Sequence, residues 1–423
     1  MDIKGSHVRA RNLTLQNAAA GILLDSNRFV VAERLNLVSN VQGAVVRKSF
    51  RSVVRNNLVR HNVTGGVEVV ESVSNVVENN TFHANPFQSI RLVGSAPSIL
   101  QNNIFSLNTT NTAAYAGVLD QAFVDYNVYY FSTNAVAIFG TQSNLLAWQL
   151  QTARDYRSAV TNPLFANITN GDFHLRSSQG RWLEGVGFTT DVQSSWAIDR
   201  GSTNSTYELE QLPNGARINI GAYGNTEYAS KGLVNTQVLV ETRILNSPTF
   251  LNETNATWPL IWGTINVPTT ELFRVEFSGD GGTNWFVLTN NVSAYQEFYV
   301  WDASPFFNTY KGRWRVVGIN NTNYWDINDA QFQLFFGTFR VNQVFYDGNT
   351  NGIVFRGAWA ENYQVQWATN PVGTNVVWFD AISGTGPLEK ASFLSTNGGD
   401  FIYRDIQSVT NRHRLYRVLL NQF

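Results

Sequence analysis

Three sets of polar residues recur at nearly constant spacing and set the chemical possibilities of the chain. Arg55, Glu78 and Gln101 are 23 residues apart, as are Arg60, His83 and Ser106, and so are Glu68 and Arg91. A repeat of that length, stacked on itself, would place each set in one vertical file. Neighbouring strands lie about 4.8 Å apart, so Glu68 and Arg91 would meet as a surface ion pair. Calcium needs two or three carboxylates on one file, and no file supplies them. Glycoside hydrolysis needs carboxyl groups converging on one face; Asp25, Asp120 and Asp125 fall at different repeat positions. His61 and His83 sit at adjacent but different offsets, which argues for turn or surface roles over a shared ligand site. The stretch Asp347 to Gly352, DGNTNG, opens like a calcium loop, but Ala358 stands where the bidentate Glu belongs, so it reads as a polar hairpin turn. Trp258, Trp262, Trp301, Trp325 and Trp359 could offer a stacking platform for sugars, but Trp in such modules is more often core.

The elements that must position these residues follow from self-similarity. The segments RNLTLQN (11–17), RLNLVSN (34–40), NNLVRHN (56–62), NNTFHAN (79–85) and NNIFSLN (102–108) end on Asn17, Asn40, Asn62, Asn85 and Asn108, spaced 23, 22, 23 and 23. A second marker, at Gly21, Gly43, Gly66, Ser89 and Gly117, is spaced 22, 23, 23 and 28, the last stretched by a polar insertion at 109–115. Leucine-rich repeats share the period but need a Leu ladder and a helical segment. Here short β-branched runs alternate with Asn pairs and Gly, which is strand and turn chemistry. Three short strands and three turns per coil make a parallel β-helix. Val59, Phe82 and Phe105 should stack inward, as should Ile22, Ala44, Val67, Ile90 and Val118. Each such burial contributes roughly 1.5–3 kcal/mol, and the core exists only through stacking. The outward file beside the second set reads Leu23, Val45, Glu68, Arg91 and Leu119. The Asn column reads as a ladder at a coil corner, each amide bonding the one in the next coil. Ser106 reads as a surface position.

These features resemble the bacterial right-handed parallel β-helix proteins of the pectate-lyase-like superfamily, secreted or displayed at the surface. The resemblance covers about residues 8–231 and is most specific late, in NPLF (162–165), GDFHL (171–175), GRW (180–182), AIDRG (197–201) and LPNGARINIGAYGNTEYASKG (212–232). Relatives commonly continue the AID stretch as AlaGlyAsp, whereas Arg200, Gly201 and Ser202 stand here. The late segment should act as a cap, with NGARINIGAY adding a last strand over the open end. The superfamily includes lyases that abstract a proton beside a uronate with Lys or Arg, often with Ca²⁺. Such chemistry would fall to Arg55, Arg60, Glu78, His83 and Arg91; His174 should serve packing or backbone bonding.

Downstream, FRVEFS (273–278), WFVL (285–288), EFYVW (297–301) and RWRVVGI (313–319) alternate with period two. SGDGGTNW (278–285) resembles an Asp-box, a structural hairpin with Trp285 packed beneath it. Residues 338–423 resemble immunoglobulin-like or fibronectin-type modules. The expected class is all-β, a right-handed parallel β-helix followed by two β-sandwich modules. The domains would be 1–231, β-helix with cap, then 235–337 and 338–423.

Composition narrows the partners. Thirty Lys and Arg balance 31 Asp and Glu, and 14% of residues are charged. That balance argues against nucleic acid, which needs a basic face, and no apolar run is long enough for a membrane-spanning helix. The chain has no Cys, which excludes thiol catalysis and thiolate metal sites. No cofactor is called for, Ca²⁺ aside. The 12 Trp and 16 Tyr, with abundant Asn, Thr and Ser, suit an extracellular or cell-surface monomer that binds polysaccharide or serves as an adhesive or structural element. The alternative is the downstream part of a polysaccharide lyase or glycoside hydrolase, since the sequence begins within a repeat and reads as the later part of a longer protein.

Overall fold

The computed structural model describes residues 1–423 apart from 107–112, 118–120, 132–143, 235–236, 248, 253–255, 307, 336–340, 347–349, 359–361, 369–375, 382–391, 395–398, 406–413 and 422–423. The chain is nearly all β and opens as a right-handed parallel β-helix, followed by further sheets. Three sheets run the length of the stack. The first orders Asp2–Ile3, Ala20–Asp25, Gln42–Arg47, Gly65–Val70, Gln88–Val93 and Ala113–Gly117. The second orders Arg9–Arg11, Val31–Glu33, Val53–Arg55, Asn75–Glu78, Ser98–Gln101 and Ala122–Asp125. The third orders Thr14–Gln16, Asn36–Val38, Leu58–Arg60, Thr81–His83, Ile104–Ser106, Val128–Tyr130 and Ala159–Val160.

Alternation along these short strands puts one apolar file per sheet inside. In the third sheet Leu37, Val59, Phe82, Phe105 and Tyr129 are buried in register. The Phe82, Phe105 and Tyr129 rings stack at 5.2 and 5.1 Å, within 7° of parallel. In the first sheet Ile22, Ala44, Val67 and Ile90 are fully buried. Their fifth member is Tyr115, which pairs with Ile90, and not Val118. Gly117 pairs with Leu92, so the polar insertion lengthens that coil less than the Gly marker suggested. Val118, Leu119, Asp120 and Asn108 lie outside the described residues.

The Asn ladder forms, with one correction. Asn40, Asn62 and Asn85 are fully buried. The backbone N–H and the Nδ2 of Asn62 both donate to Oδ1 of Asn85, at 3.0 and 2.9 Å, and the same Nδ2 donates to the Leu37 carbonyl. Asn40 treats Asn62 alike. Asn17 is not a member: Gln16 pairs with Val38, so Asn17 stands beside Ser39 in an exposed left-handed turn, and Ala18 donates to Asn40. A spacing of 23 hid a register of 22 there. A second buried ladder of Asn57, Asn80, Asn103 and Asn127 follows the second sheet. Ser106 is fully buried, contrary to its reading as a surface position.

Beyond the last coils, Asn144 caps the helix Leu145–Thr152, whose Trp148 joins the β-helix core and stacks on Tyr115. Two hairpins follow, Phe165–Asn167 with Asp172–Leu175 and Arg181–Leu183 with Gly187–Thr189. Residues 198–232 add no strand. This segment runs along the side of the stack, over the corner between the second and third sheets. The Nδ2 of Asn56 donates to the carbonyls of Ala222 and Gly224, and that of Asn79 to Asn219 and Gly221. Asn102 accepts from Ser202 and donates to Ser205. Arg34 pairs with Glu227. The expected cap is therefore a lateral strap, because its backbone is satisfied by corner side chains and not by a strand edge.

The chain divides into two compact units, 1–240 with 261–270 and 294–298, and 241–260 with 271–293 and 299–423. In the first, the buried Arg217 forms a two-pronged ion pair with Glu297 at 2.7 and 3.2 Å. In the second, a sheet orders Phe250–Asn252, Phe332–Phe335, Thr309–Gly318, Leu272–Ser278 and Phe286–Ser293. The expected hairpin at 278–285 forms: Asp280 accepts from Thr283 and Asn284, and Trp285 donates to Gly282 under the Arg315 guanidinium. Further strands, Val341–Tyr346, Asn351–Gly357 and Gly399–Asp405, form one sheet, and Asn362–Ala368 centres another with Leu415–Asn421. Trp359 and residues 347–349 of the DGNTNG turn lie outside the described residues.

Candidate functional site

The second sheet ends each coil with an outward polar residue, and the register files them as Arg11, Glu33, Arg55, Glu78, Gln101 and Asp125. Within this file one ion pair forms among the described residues, between Glu33 and Arg55 one strand apart. Glu33 is held between Arg9 at 2.5 Å and Arg55 at 3.0 Å. Burial alone would raise its carboxyl, but the two guanidiniums outweigh that and hold it below its ordinary range. Glu78 accepts from Gln101 at 3.0 Å. The strap supplies the opposite wall with Asn204, Ser205, Thr206, Leu209 and Asn225, enclosing a groove of about 470 Å³. Four guanidiniums line it, from Arg9, Arg11, Arg34 and Arg55, against the carboxylates of Glu33 and Glu78. Arg11 has no acidic partner among the described residues.

The five catalytic candidates do not meet. Arg55 and Glu78 face the groove, but Arg55 is tied to Glu33 and is not a free base. Arg60 lies on the third sheet and donates to Asn36. His83 is buried beneath Phe173, its rings 5.1 Å apart. Burial, then the nearby His61 and Arg60, push His83 down to about 4. His83 is thus a buried strand residue and not a surface or turn one, and its ring meets that of the turn residue His61 edge to face at 5.5 Å, because the two share one corner in successive coils. Arg91 pairs with Glu68 on the exposed face of the first sheet, as expected. No group of three or more His, Asp or Glu among the described residues is arranged to hold a metal ion.

Trp258, Trp262 and Trp301 are 6%, 0% and 1% exposed. Their rings fill cores, Trp301 against Phe277 and Phe332, so these three offer no face to a sugar. Trp325 is exposed. His174 donates or accepts at Nδ1 with Asp172 at 2.7 Å and stacks on Tyr223 at 3.7 Å, a packing role as expected.

Sequence reasoning missed Arg9, Arg11, Glu33 and Arg34. Glu33 stands 22 residues before Arg55, so the shorter period of the early coils was the signal. A second signal was charge: the first 60 residues hold ten Lys and Arg against three Asp and Glu, within a nearly neutral chain.

One comparison, with a family model, agrees with the fold of the first coils. The family model for the right handed beta helix region matches residues 3–147. A search of curated proteins found no match. Among solved structures, the enzymatically active domain of bacteriophage CBA120 tailspike protein 2 aligns at 11% identity and a TM-score of 0.23, over 99% of this chain and 51% of that one. The chain thus spans about half the length of that structure. Among the described residues no helix is long and apolar enough to cross a membrane.

Proposed function

We propose that the chain is an extracellular or cell-surface β-helix protein that binds an anionic polysaccharide in the groove between the second sheet and the strap. One observation carries the reading: four guanidiniums and two carboxylates line a groove whose other walls are Asn, Ser, Thr and Gln side chains with Leu209 and Ile218. Amides and hydroxyls bond sugar hydroxyls, and guanidinium groups grip carboxylate or sulfate in two-pronged fashion. The basic bias of the first three coils adds a long-range attraction for a polyanion. Downstream sandwich modules would serve as spacers in such a protein.

Affinity electrophoresis through gels containing alginate, pectate, chondroitin sulfate or dextran tests this. The anionic gels should retard the protein and dextran should not. Arg11→Ala should weaken retardation several-fold, and Arg91→Ala, on another sheet, should leave it unchanged. Equal mobility in all gels, or equal retardation of the two variants, contradicts the reading. Release of products absorbing near 235 nm would instead favour a lyase.

A further inference from the structure

Behind one wall of the groove lies a buried carboxyl group with no ion-pair partner among the described residues. Glu210 is 5% exposed. Its Oε1 accepts the backbone N–H of Asn219 at 2.9 Å and that of Asn225 at 2.7 Å, closing a loop. Its Oε2 has no hydrogen-bond partner among the described residues. The loop it closes, 219–225, is the part of the strap that Asn56 and Asn79 grip from the coils. Asn225, at the end of that loop, also lines the groove and donates to Thr206, another wall residue. Glu210 therefore ties the groove wall to the strap's anchor points.

A second buried carboxyl group lies behind it. Asp199 is fully buried, and a Cβ added to Gly215 or Gly232 would fall within 3 Å of it. Its backbone N–H donates to Asn219, whose Nδ2 in turn donates to the Ser230 carbonyl.

We infer that the strap is a proton-controlled wall of the groove, closed while Glu210 and Asp199 are protonated and loosened as they ionise. This rests on the groove reading for its purpose, though not for its mechanism. The charged surroundings are few. Asp199 is the titratable group near Glu210, and it repels. Arg217 and Arg200 face Asp199, but Arg217 is already held by Glu297. The coil side presents the uncharged Asn56, Asn79 and Asn102. Arg34 with Glu227, and His174 with Asp172 and Arg181, flank the strap as closed pairs.

Burial pushes Glu210 up to about 8 and Asp199 up to about 7. A carboxyl raised in the closed state stabilises closure fully below its ordinary value. That stabilisation is lost progressively as pH rises, and is gone above the raised value. The strap should therefore be tightest in acid and loosest above about pH 8.

Hydrogen exchange read by mass spectrometry on the full chain tests this, with rates corrected for intrinsic pH dependence. Between pH 5 and 8.5, protection of residues 215–228 should fall at least about tenfold in the wild type. In Glu210→Gln, whose amide oxygen keeps both N–H bonds while Asp199 still titrates, the fall should be at least about threefold smaller than in the wild type. Residues 75–85 of the coil ladder should stay protected in both proteins, which shows that the variant folds; Asp199→Asn serves as the second variant. No fall in the wild type, or the same fall in all three proteins, overturns the inference. Retention in anionic gels is measured in parallel. Exchange that switches without retention at any pH sinks the groove reading and leaves the strap standing. Retention with pH-independent exchange does the reverse.

Discussion

Asn62 gives its backbone N–H and one N–H of its Nδ2 to a single oxygen, Oδ1 of Asn85, one coil further along the stack. Both side chains are fully buried, so water cannot replace what a substitution removes. The same arrangement recurs from Asn40 to Asn62 and through the second ladder from Asn57 to Asn127.

Asn85→Leu should therefore strand two buried donors of Asn62. Each stranded group costs about 1–3 kcal/mol, so a loss of about 2–5 kcal/mol is expected. Urea unfolding monitored by circular dichroism measures it. Lys48→Ala, at an exposed turn, serves as the control and should stay within about 0.5 kcal/mol.

Phe82 lies between Val59 and Phe105 in the buried file. Phe82→Ala opens a cavity that coils on both sides cannot fill without breaking register. The expected cost is about 3–5 kcal/mol, read as a lower urea midpoint with an unchanged slope. A cost below 1 kcal/mol would mean that the stack is loose at its centre.

Gly66 has no room for a side chain. A Cβ there would fall 2.4 Å from the Ser89 carbonyl oxygen and 2.7 Å from the Phe82 ring. Gly66→Ala should cost about 1–3 kcal/mol through overpacking, whereas Gly171→Ala has open space and suffers only from its left-handed backbone. Thermal melts of the two variants compare the mechanisms.

Asp155 is fully buried and accepts from Trp148, Tyr129, Asn127 and Ser158. Burial, with repulsion from Asp125, pushes it up to about 6 although those donors pull it down. Its contribution is thus complete below its ordinary value and is lost as pH rises to about 6. The wild type should lose on the order of 1–3 kcal/mol across that window. Asp155→Asn should flatten this part of the pH–stability curve, as followed by chemical denaturation at pH 4, 5, 6 and 7. Identical curves would remove Asp155 as the titrating group.

The coil architecture was legible because the β-helix repeats its constraints: one inward apolar file per sheet, and Asn wherever a buried corner needs a donor and an acceptor at once. Errors arose where the spacing wavered. Asn17 kept the period yet missed the register by one residue, since a turn can absorb a residue that a strand pair cannot. Tyr115, not Val118, continued the Ile90 file for the same reason. The groove was half legible. Arg55 and Glu78 recur at the repeat spacing, but the opposite wall comes from residues more than 100 positions away, which no periodicity reports. Trp258, Trp262 and Trp301 are core, the commoner role, but the sequence kept the sugar platform open because an aromatic ring serves either until burial is known. Glu210 and Asp199 carry no motif at all; their character comes from what covers them.

The strap has a further consequence for length. Asn56, Asn79 and Asn102 hold it at three successive levels of the stack. A rung inserted or deleted between Asn56 and Asn102 would preserve every strand pairing within the coils, yet shift one anchor by about 4.8 Å relative to the others. The segment thus works as a ruler: it fixes how many rungs this region can contain, a constraint that the repetitive coils cannot impose on themselves.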